Sequence, residues 1–255
     1  MLEILDHDRV RELRLARPPV NALSPALVSA LRTALAAAED RAACDAIVLS
    51  GQPGLFSAGL DVRELDRLEP AALAAFVDDF FALQRAIAAS TRPIVAAITG
   101  HCPAGGTVLA LYCDYRIMAR GPYTIGLNEV QVGLYPGELI MRAFERLVGP
   151  RRCAELLMRG ALLDPAAALE TGLVDELAEG EVVRARALDY ARELLALPRA
   201  AFARTRGLVR RDLVRLFDAV AESFAERFLE IWFSDETRAR LQALLTRGET
   251  GRGRH

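Results

Sequence analysis

The chain has 255 residues, 52% of them hydrophobic and 26% charged, with 34 acidic against 32 basic side chains and a formal charge of −2. That composition suits one large or two small globular domains with a substantial core, and it excludes a disordered chain or a polycationic nucleic-acid binder. The longest apolar runs, around Ile94–Thr99 and Val108–Tyr112, fall well short of the roughly 20 residues that a membrane helix needs.

The first residues alternate, with Leu2, Ile4 and Leu5, then Val10, Leu13 and Leu15 set among charges, and predict two short strands joined near His7–Asp8. Met1 is followed at once by Glu3, Asp6 and Asp8 rather than by a basic and then apolar run, so a secretory leader is not expected and a cytoplasmic location follows by default. Ser24-Pro25 reads as an N-cap with proline in the first helical position, and Leu27, Leu31, Ala34 and Leu35 carry helical spacing to about Asp40. Ala46–Gly51 is a buried-strand run, Gln52–Gly59 a loop, and Pro70–Ser90 helix-prone. Ile94–Gly100 is a second buried strand, Pro103–Tyr112 a helix start of small residues, and Tyr115–Ala119 a third strand. Strand, loop, helix, strand is the rhythm of a mostly parallel sheet covered by helices.

From Gly137 onward helices dominate: Glu138–Val148, Pro150–Arg159, Pro165–Thr171, Glu181–Leu197, Arg199–Phe217, Asp218–Phe233 and Asp235–Thr246, with Gly248–His255 as a frayed tail. The chain therefore divides into an α/β core over residues 1–195 and a C-terminal helical region over 196–255. The arginines at 199, 204, 206, 210, 211 and 215 predict a solvated helix face or a subunit contact, and the stripe Phe224, Phe228, Ile231, Trp232, Phe233 predicts core or interface.

Several chemistries drop out. Every basic residue is arginine, so Schiff-base catalysis, a lysine base and a Walker-type phosphate loop are excluded. The four cysteines, Cys44, Cys102, Cys113 and Cys153, form no C-x-x-C pair and read as reduced buried thiols, and no carboxylate or histidine cluster suggests a metal. Ser57 lacks a full G-x-S-x-G elbow, and Cys102 beside His101 is a poor nucleophile–base pair because adjacent side chains seldom face each other.

Three glycine-containing loops follow the buried strands, where open α/β sheets bind ligands. They are Gly54–Asp61, Gly100–Gly106 and Ile125–Gly137, and none is G-x-G-x-x-G. In the second, small residues run straight into a helix start, leaving amides near Ala104–Gly106 free to hold negative charge; a second amide from the first loop would complete a two-donor site for a carbonyl oxygen. The competing reading is that these glycines only permit close helix–strand packing. Glu129 is a lone carboxylate in an apolar loop, where burial would raise its pKa and make it a base that can return the proton it takes.

The strings Pro18–Ser24, Phe56–Asp61, Cys102–Gly106 with Cys113–Ile117, and Ile125–Glu129 occur in the order found in the crotonase (enoyl-CoA hydratase/isomerase) superfamily, which the chain resembles along almost its whole length. Their wording is most similar to that of mitochondrial-type 3,2-trans-enoyl-CoA isomerases. The resemblance implies a spiral ββα core with a C-terminal helical extension, trimers or dimers of trimers, and an acyl-CoA thioester as substrate, with coenzyme A part of the substrate and no separate cofactor, metal, nucleic-acid or membrane partner. By the family pattern the amides of Leu60 and Gly105 hold the thioester oxygen. Ser57, Ala58, Asp61 and Val62 receive CoA, Arg63 or Arg17 meets its phosphates, and Gly106, Leu134 and Pro136 border the substrate. The C-terminal helices close the pocket, with Trp232 or Phe233 in its lining.

Hydratases of this family carry two glutamates, but the first position is Val108 here while Glu129 is retained. One base implies movement of a double bond, from a 3-enoyl- to a trans-2-enoyl-CoA in fatty-acid β-oxidation. Glu138 is the possible second acid; if it faces the pocket, hydration, dienoyl isomerisation or thioester hydrolysis returns. A helix-terminal surface acid is the plainer reading. A non-catalytic acyl-CoA-binding or assembly subunit is the remaining alternative.

Overall fold

The structure, a computed structural model, describes residues 1–220 and 224–252. The chain opens with the expected hairpin: β1 (Leu2–His7) and β2 (Val10–Leu15) pair antiparallel from Leu2↔Leu15 to His7↔Val10. The turn runs through Asp8 at φ 57°, a conformation aspartate tolerates. In α1 (Pro25–Asp40) the Ser24 hydroxyl accepts from the Leu27 amide at 3.3 Å, and Leu27, Leu31, Ala34 and Leu35 are buried as their spacing requires.

Then a three-element unit repeats. The strand β3 (Ala46–Ser50) is followed by β4 (Gly54–Leu55), the short α2 (Val62–Leu65) and α3 (Pro70–Ala89). Next come β5 (Ile94–Ile98), β6 (Gly100–Pro103) and α4 (Gly105–Leu111), and then β7 (Tyr115–Ala119), β8 (Ile125–Gly126), a 3-10 turn at Glu129–Val132 and α5 (Gly137–Arg159). After α6 (Pro165–Glu170), β9 (Glu176–Ala178) and α7 (Val183–Leu195) come four helices: α8 (Arg199–Val209), α9 (Arg211–Val220), α10 (Phe224–Trp232) and α11 (Asp235–Arg252). The large sheet has the order β1-β2-β3-β5-β7-β9, parallel except for the hairpin, and a small parallel sheet has the order β4-β6-β8. Each unit therefore places one strand in the large sheet, one in the small sheet and a helix behind them, which is the spiral ββα arrangement.

The second sheet corrects the expectation of plain loops at Gln52–Gly59 and after Gly100. Its strands are two to four residues long, too short for any periodicity, and are created by pairing with one another. A side chain at Gly100 would lie 1.8 Å from the Gly54 carbonyl carbon, so that crossing requires glycine. The expected break between Val148 and Pro150 is present: Gly149, at φ 76° and ψ 163°, interrupts α5. The helix expected from Arg199 to Phe217 divides at Arg210, and α11 continues to Arg252, past the expected end at Thr246. Residues 221–223 of the expected Asp218–Phe233 helix, the last three residues of the expected tail and the Phe224 side chain lie outside the described residues.

The arginine stretch is only partly a solvated face. Arg206 grips Asp114 through two bonds of 2.9 and 2.8 Å. Buried Arg210 reaches Asp114 at 3.1 Å and the Tyr112 carbonyl at 2.5 Å, whereas Arg199, Arg204, Arg211 and Arg215 are exposed. The four-residue spacing turns 206 and 210 to the same inward side, where an acid and open carbonyls await them. Leu213, Phe217, Trp232 and Leu241 join the core that holds α1, α3 and the sheet. Among the described residues no helix is long and apolar enough to cross a membrane, and no group of three metal-binding side chains occurs. All four cysteines are free and buried.

A second ion pair, buried on its acid side, ties the hairpin to α7. Glu12, 0% exposed, accepts from Arg184 at 2.7 and 2.9 Å and from the Ser50 hydroxyl at 2.6 Å. Burial alone would push its carboxyl up, but the hydrogen bonds from Arg184 and Ser50 and the Arg184 charge outweigh it and hold the pKa below the ordinary 4.5. A depressed carboxylate pKa gives stability that is present above the unfolded value and lost as pH falls through the folded one. Arg184→Ala removes two of the bonds to Glu12 but leaves it Ser50, His7 and Arg14, and with a third of the Arg184 side chain exposed it is expected to cost about 1–2 kcal/mol at neutral pH. It should also flatten the loss of stability below about pH 4.5. Urea unfolding of both proteins across that range checks it; parallel curves would contradict it.

Candidate active site

The first loop is fixed from within. Buried Ser57 donates its hydroxyl to the Asn21 carbonyl at 2.8 Å and accepts from the Gly59 amide at 3.2 Å, and the Ala58 amide bonds the Val20 carbonyl at 3.0 Å. Leu23 donates to the Gly59 carbonyl at 2.8 Å and accepts from the Asp61 amide at 3.1 Å, forming a parallel bridge opposite Leu60. Because successive backbone groups point to opposite sides, that bridge turns the N–H of Leu60 away from Leu23.

Gly105 opens α4, so its N–H has no carbonyl one turn back to bond. A Cβ on Gly105 would stand 3.2 Å from the Leu60 nitrogen, and one on Gly59 would stand 3.0 Å from the Gly105 nitrogen. The two amides therefore adjoin, with glycines giving the room. Ala104, just before α4, is held at φ 49°, where a side chain is strained. Its amide bonds the Gly126 carbonyl at 2.8 Å, and buried Thr107 links Cys102 and Gly126 at 2.5–3.0 Å, so the neighbouring strands impose the conformation.

The third loop brings the carboxylate. Glu129 begins the 3-10 turn that Gly133 closes at φ 80°. Burial pushes its carboxyl up to about 7, against a lowering hydrogen bond from its own backbone amide. Its Oε2 is shut from solvent with no protein partner, as is Oδ1 of Asn128 beside it. Both residues line a cavity of about 260 Å³ whose wall is otherwise almost wholly apolar, including Phe76 and Phe80 of α3, Val108 of α4, Phe228 of α10 and Leu244 of α11. Among the described lining residues Glu129 is the one carboxylate. A base poised near neutrality in the same cavity as two free amides can move a proton on a carbonyl compound while its oxygen is held.

Of the residues singled out in sequence, Glu129, Leu60, Gly105, Ala58, Val62, Leu134 and Pro136 meet at this cavity. Others do not. Ser57 is spent on the loop, and Gly106 packs α4 onto it, since a Cβ there would lie 2.6 Å from the Ser57 carbonyl oxygen. Asp61 caps α2 through the Glu64 amide at 3.0 Å and pairs with Arg17 at 2.7 Å, which also binds Glu64 at 2.9 Å. Arg17 is thus engaged by acids. Arg63 lies in a separate depression with Asp66, Arg67 and Gln242. Glu138 points outward, its side chain 57% exposed and 3.5 Å from Arg142, because its neighbours Leu139 and Ile140 take the inward face of α5. Trp232 is buried behind Phe228 and Phe233 is exposed, so Phe228 takes the lining place expected of them. His101 and Cys102 point to opposite sides of β6, one exposed and one buried.

Sequence reasoning missed Asn128, Phe76, Phe80, Phe228 and Leu244. The first was visible beside Glu129; the others look like ordinary helix-core residues until the helices pack.

The family model for enoyl-CoA hydratase/isomerase matches residues 6–246. The chain belongs to that family. It is 33% identical over 246 residues to human mitochondrial enoyl-CoA delta isomerase 1, covering 96% of this chain and 82% of that protein. A probable enoyl-CoA hydratase of Rhizobium meliloti is 31% identical over 89% of this chain and 88% of its own. The crystal structure of human mitochondrial delta3-delta2-enoyl-CoA isomerase superposes with a TM-score of 0.93 at 31% identity, over 98% of each chain. The fold is therefore that of the crotonase family, as its resemblance implies, and relatives named for both isomerisation and hydration stand near it.

Proposed function

We propose that the protein is a 3-enoyl-CoA to trans-2-enoyl-CoA isomerase that shuttles one proton on Glu129. The observation that carries this is a single carboxylate among the described residues that line the cavity, with apolar Val108 where the family's hydratases hold a second acid. The thioester oxygen sits between the Leu60 and Gly105 amides as in an oxyanion hole. Glu129 removes a proton from C2, the amides stabilise the dienolate as charge reaches the oxygen, and the same carboxyl returns the proton to C4. The C=C bond moves from C3–C4 to C2–C3 and no water enters. Coenzyme A arrives on the substrate, and the chain works as a homotrimer or a dimer of trimers with its C-terminal helices near the contacts.

Hydration is the second reading, favoured by the hydratase-named relatives. Among the described lining residues it lacks a second carboxylate, Glu138 being on the outer surface.

A base must be ionised in the free enzyme, so kcat/KM for a 3-enoyl-CoA is expected to rise about tenfold per pH unit below about 7 and to level off above it. A pH profile of initial rates checks this; a flat profile between about pH 5 and 8 would contradict it.

A further inference from the structure

The cavity wall is apolar, but the layer behind it is not. Phe80 on α3, Val108 on α4 and Phe228 on α10 line the cavity. Four residues further along each of these helices, hence on the same face one turn away, stand Gln84, Tyr112 and Trp232. All three are 0% exposed. The amide nitrogen and oxygen of Gln84, the Tyr112 hydroxyl and the Trp232 indole N–H find no hydrogen-bond partner in the protein.

These residues belong to one packed region. α3 packs against both α4 and α10. The Trp232 ring stacks on Phe228 with centroids 5.5 Å apart, and the Phe217 ring meets both Tyr112 at 5.4 Å and Phe81, three residues before Gln84, at 5.3 Å. Asp45, Arg92 and Arg116 also have an orphaned buried atom, but each is paired through another atom of the same side chain, Asp45 through Oδ2 to Arg9. Gln84 has no partner at either end. A buried polar group left unpaired is costly, and leucine or phenylalanine would fill the same space without that cost.

We infer that Gln84, Tyr112 and Trp232 form a subsite for a neutral oxygen function on the tail of the acyl chain, a hydroxyl or a keto group. The inference rests on the isomerase reading and adds the substrate class: an oxygenated 3-enoyl-CoA. The donors are the Gln84 amide, the Tyr112 hydroxyl and the Trp232 N–H; the Gln84 oxygen accepts the proton of a hydroxyl. None of the three is charged. Arg210, which reaches the Tyr112 carbonyl, is committed to Asp114 and to the Ala88 carbonyl, so a tail carboxylate would go uncompensated. None of the three lines the cavity itself, so a tail reaches them only where the Phe80, Val108 or Phe228 side chain in front of them moves aside.

The test compares 3-enoyl-CoA esters of matched length ending in a methyl or a hydroxyl group, over a series of lengths, with wild type, Gln84→Leu and Tyr112→Phe. At the length that reaches the subsite, wild type should favour the hydroxylated ester about a hundredfold, a factor of about ten for each of two hydrogen bonds. Gln84→Leu should lose that preference and keep its rate on the methyl-ended ester, with Tyr112→Phe intermediate. Equal rates at every length, or variants that slow both esters alike, would overturn the inference, leaving ordered water or packing as the role of these groups and the isomerase reading intact. Thermal shifts with saturated acyl-CoA esters give a readout independent of turnover. A larger shift for the hydroxyl-ended ester, abolished in Gln84→Leu, supports the subsite even if no ester is isomerised, and equal shifts overturn it.

Discussion

Glu129→Gln is expected to lower turnover of a 3-enoyl-CoA about 10³-fold, within the range for loss of a positioned general base, and to make the protein more stable above neutral pH. Both follow from one fact. The folded protein holds the Glu129 proton up to about pH 7, whereas the ordinary value is 4.5. A raised carboxylate pKa means that stability falls as pH rises from the unfolded value through the folded one. Above about 7 the charged form costs up to roughly 3 kcal/mol. Glutamine fills the same space and does not ionise. The melting temperature of the variant should therefore exceed that of the wild type at about pH 8 and match it at about pH 4. Thermal unfolding at the two pH values, with turnover measured beside it, checks the pair of effects. A variant that is inactive because it is destabilised at both would contradict the account, as would near-wild-type turnover.

Gly105→Ala tests the other half of the site. A methyl group there would meet Gly59 Cα and Leu23 Cδ1 at 3.1 Å and the Leu60 nitrogen at 3.2 Å, so one or both amides must shift by tenths of an ångström. Two donors aimed at one developing charge are sensitive to such a shift, and kcat/KM should fall about a hundredfold, comparable with losing one donor. The backbone at Gly105 is helical and accepts alanine, so circular dichroism and melting temperature should stay close to wild type. Turnover within a factor of a few of wild type would mean that the amide pair does not hold the thioester oxygen.

What the sequence made legible was local. Ser24-Pro25, the alternation before Leu15 and the break at Gly149-Pro150 are chemistry between near neighbours, and each appears where its residues require. The strands Gly54–Leu55, Gly100–Pro103, Ile125–Gly126 and Glu176–Ala178 were illegible because they are two to four residues long and exist only through pairing with distant segments.

The site divides the same way. Glu129 and Val108 could be read from one position each, and the Leu60 and Gly105 amides from motif order. That Asp61 and Arg17 are spent on each other, that Arg206 and Arg210 turn inward onto Asp114, and that Phe228 joins Phe76 and Phe80 in the cavity wall in place of Trp232 depend on packing across more than 40 residues of chain. The unpartnered Gln84 was invisible in sequence, where a glutamine in a helix looks like surface.

The most direct test of the central claim is to incubate the purified protein with a 3-enoyl-CoA and, separately, with a trans-2-enoyl-CoA, following the ultraviolet absorbance of the conjugated thioester. A single base above two amides predicts that conjugation grows from the first substrate and is lost from the second no further than the isomerisation equilibrium. Loss of the 2-enoyl signal beyond the isomerisation equilibrium would mean that water is added without a second carboxylate among the described cavity residues and would contradict the one-base account, and silence with both substrates would contradict the isomerase assignment altogether.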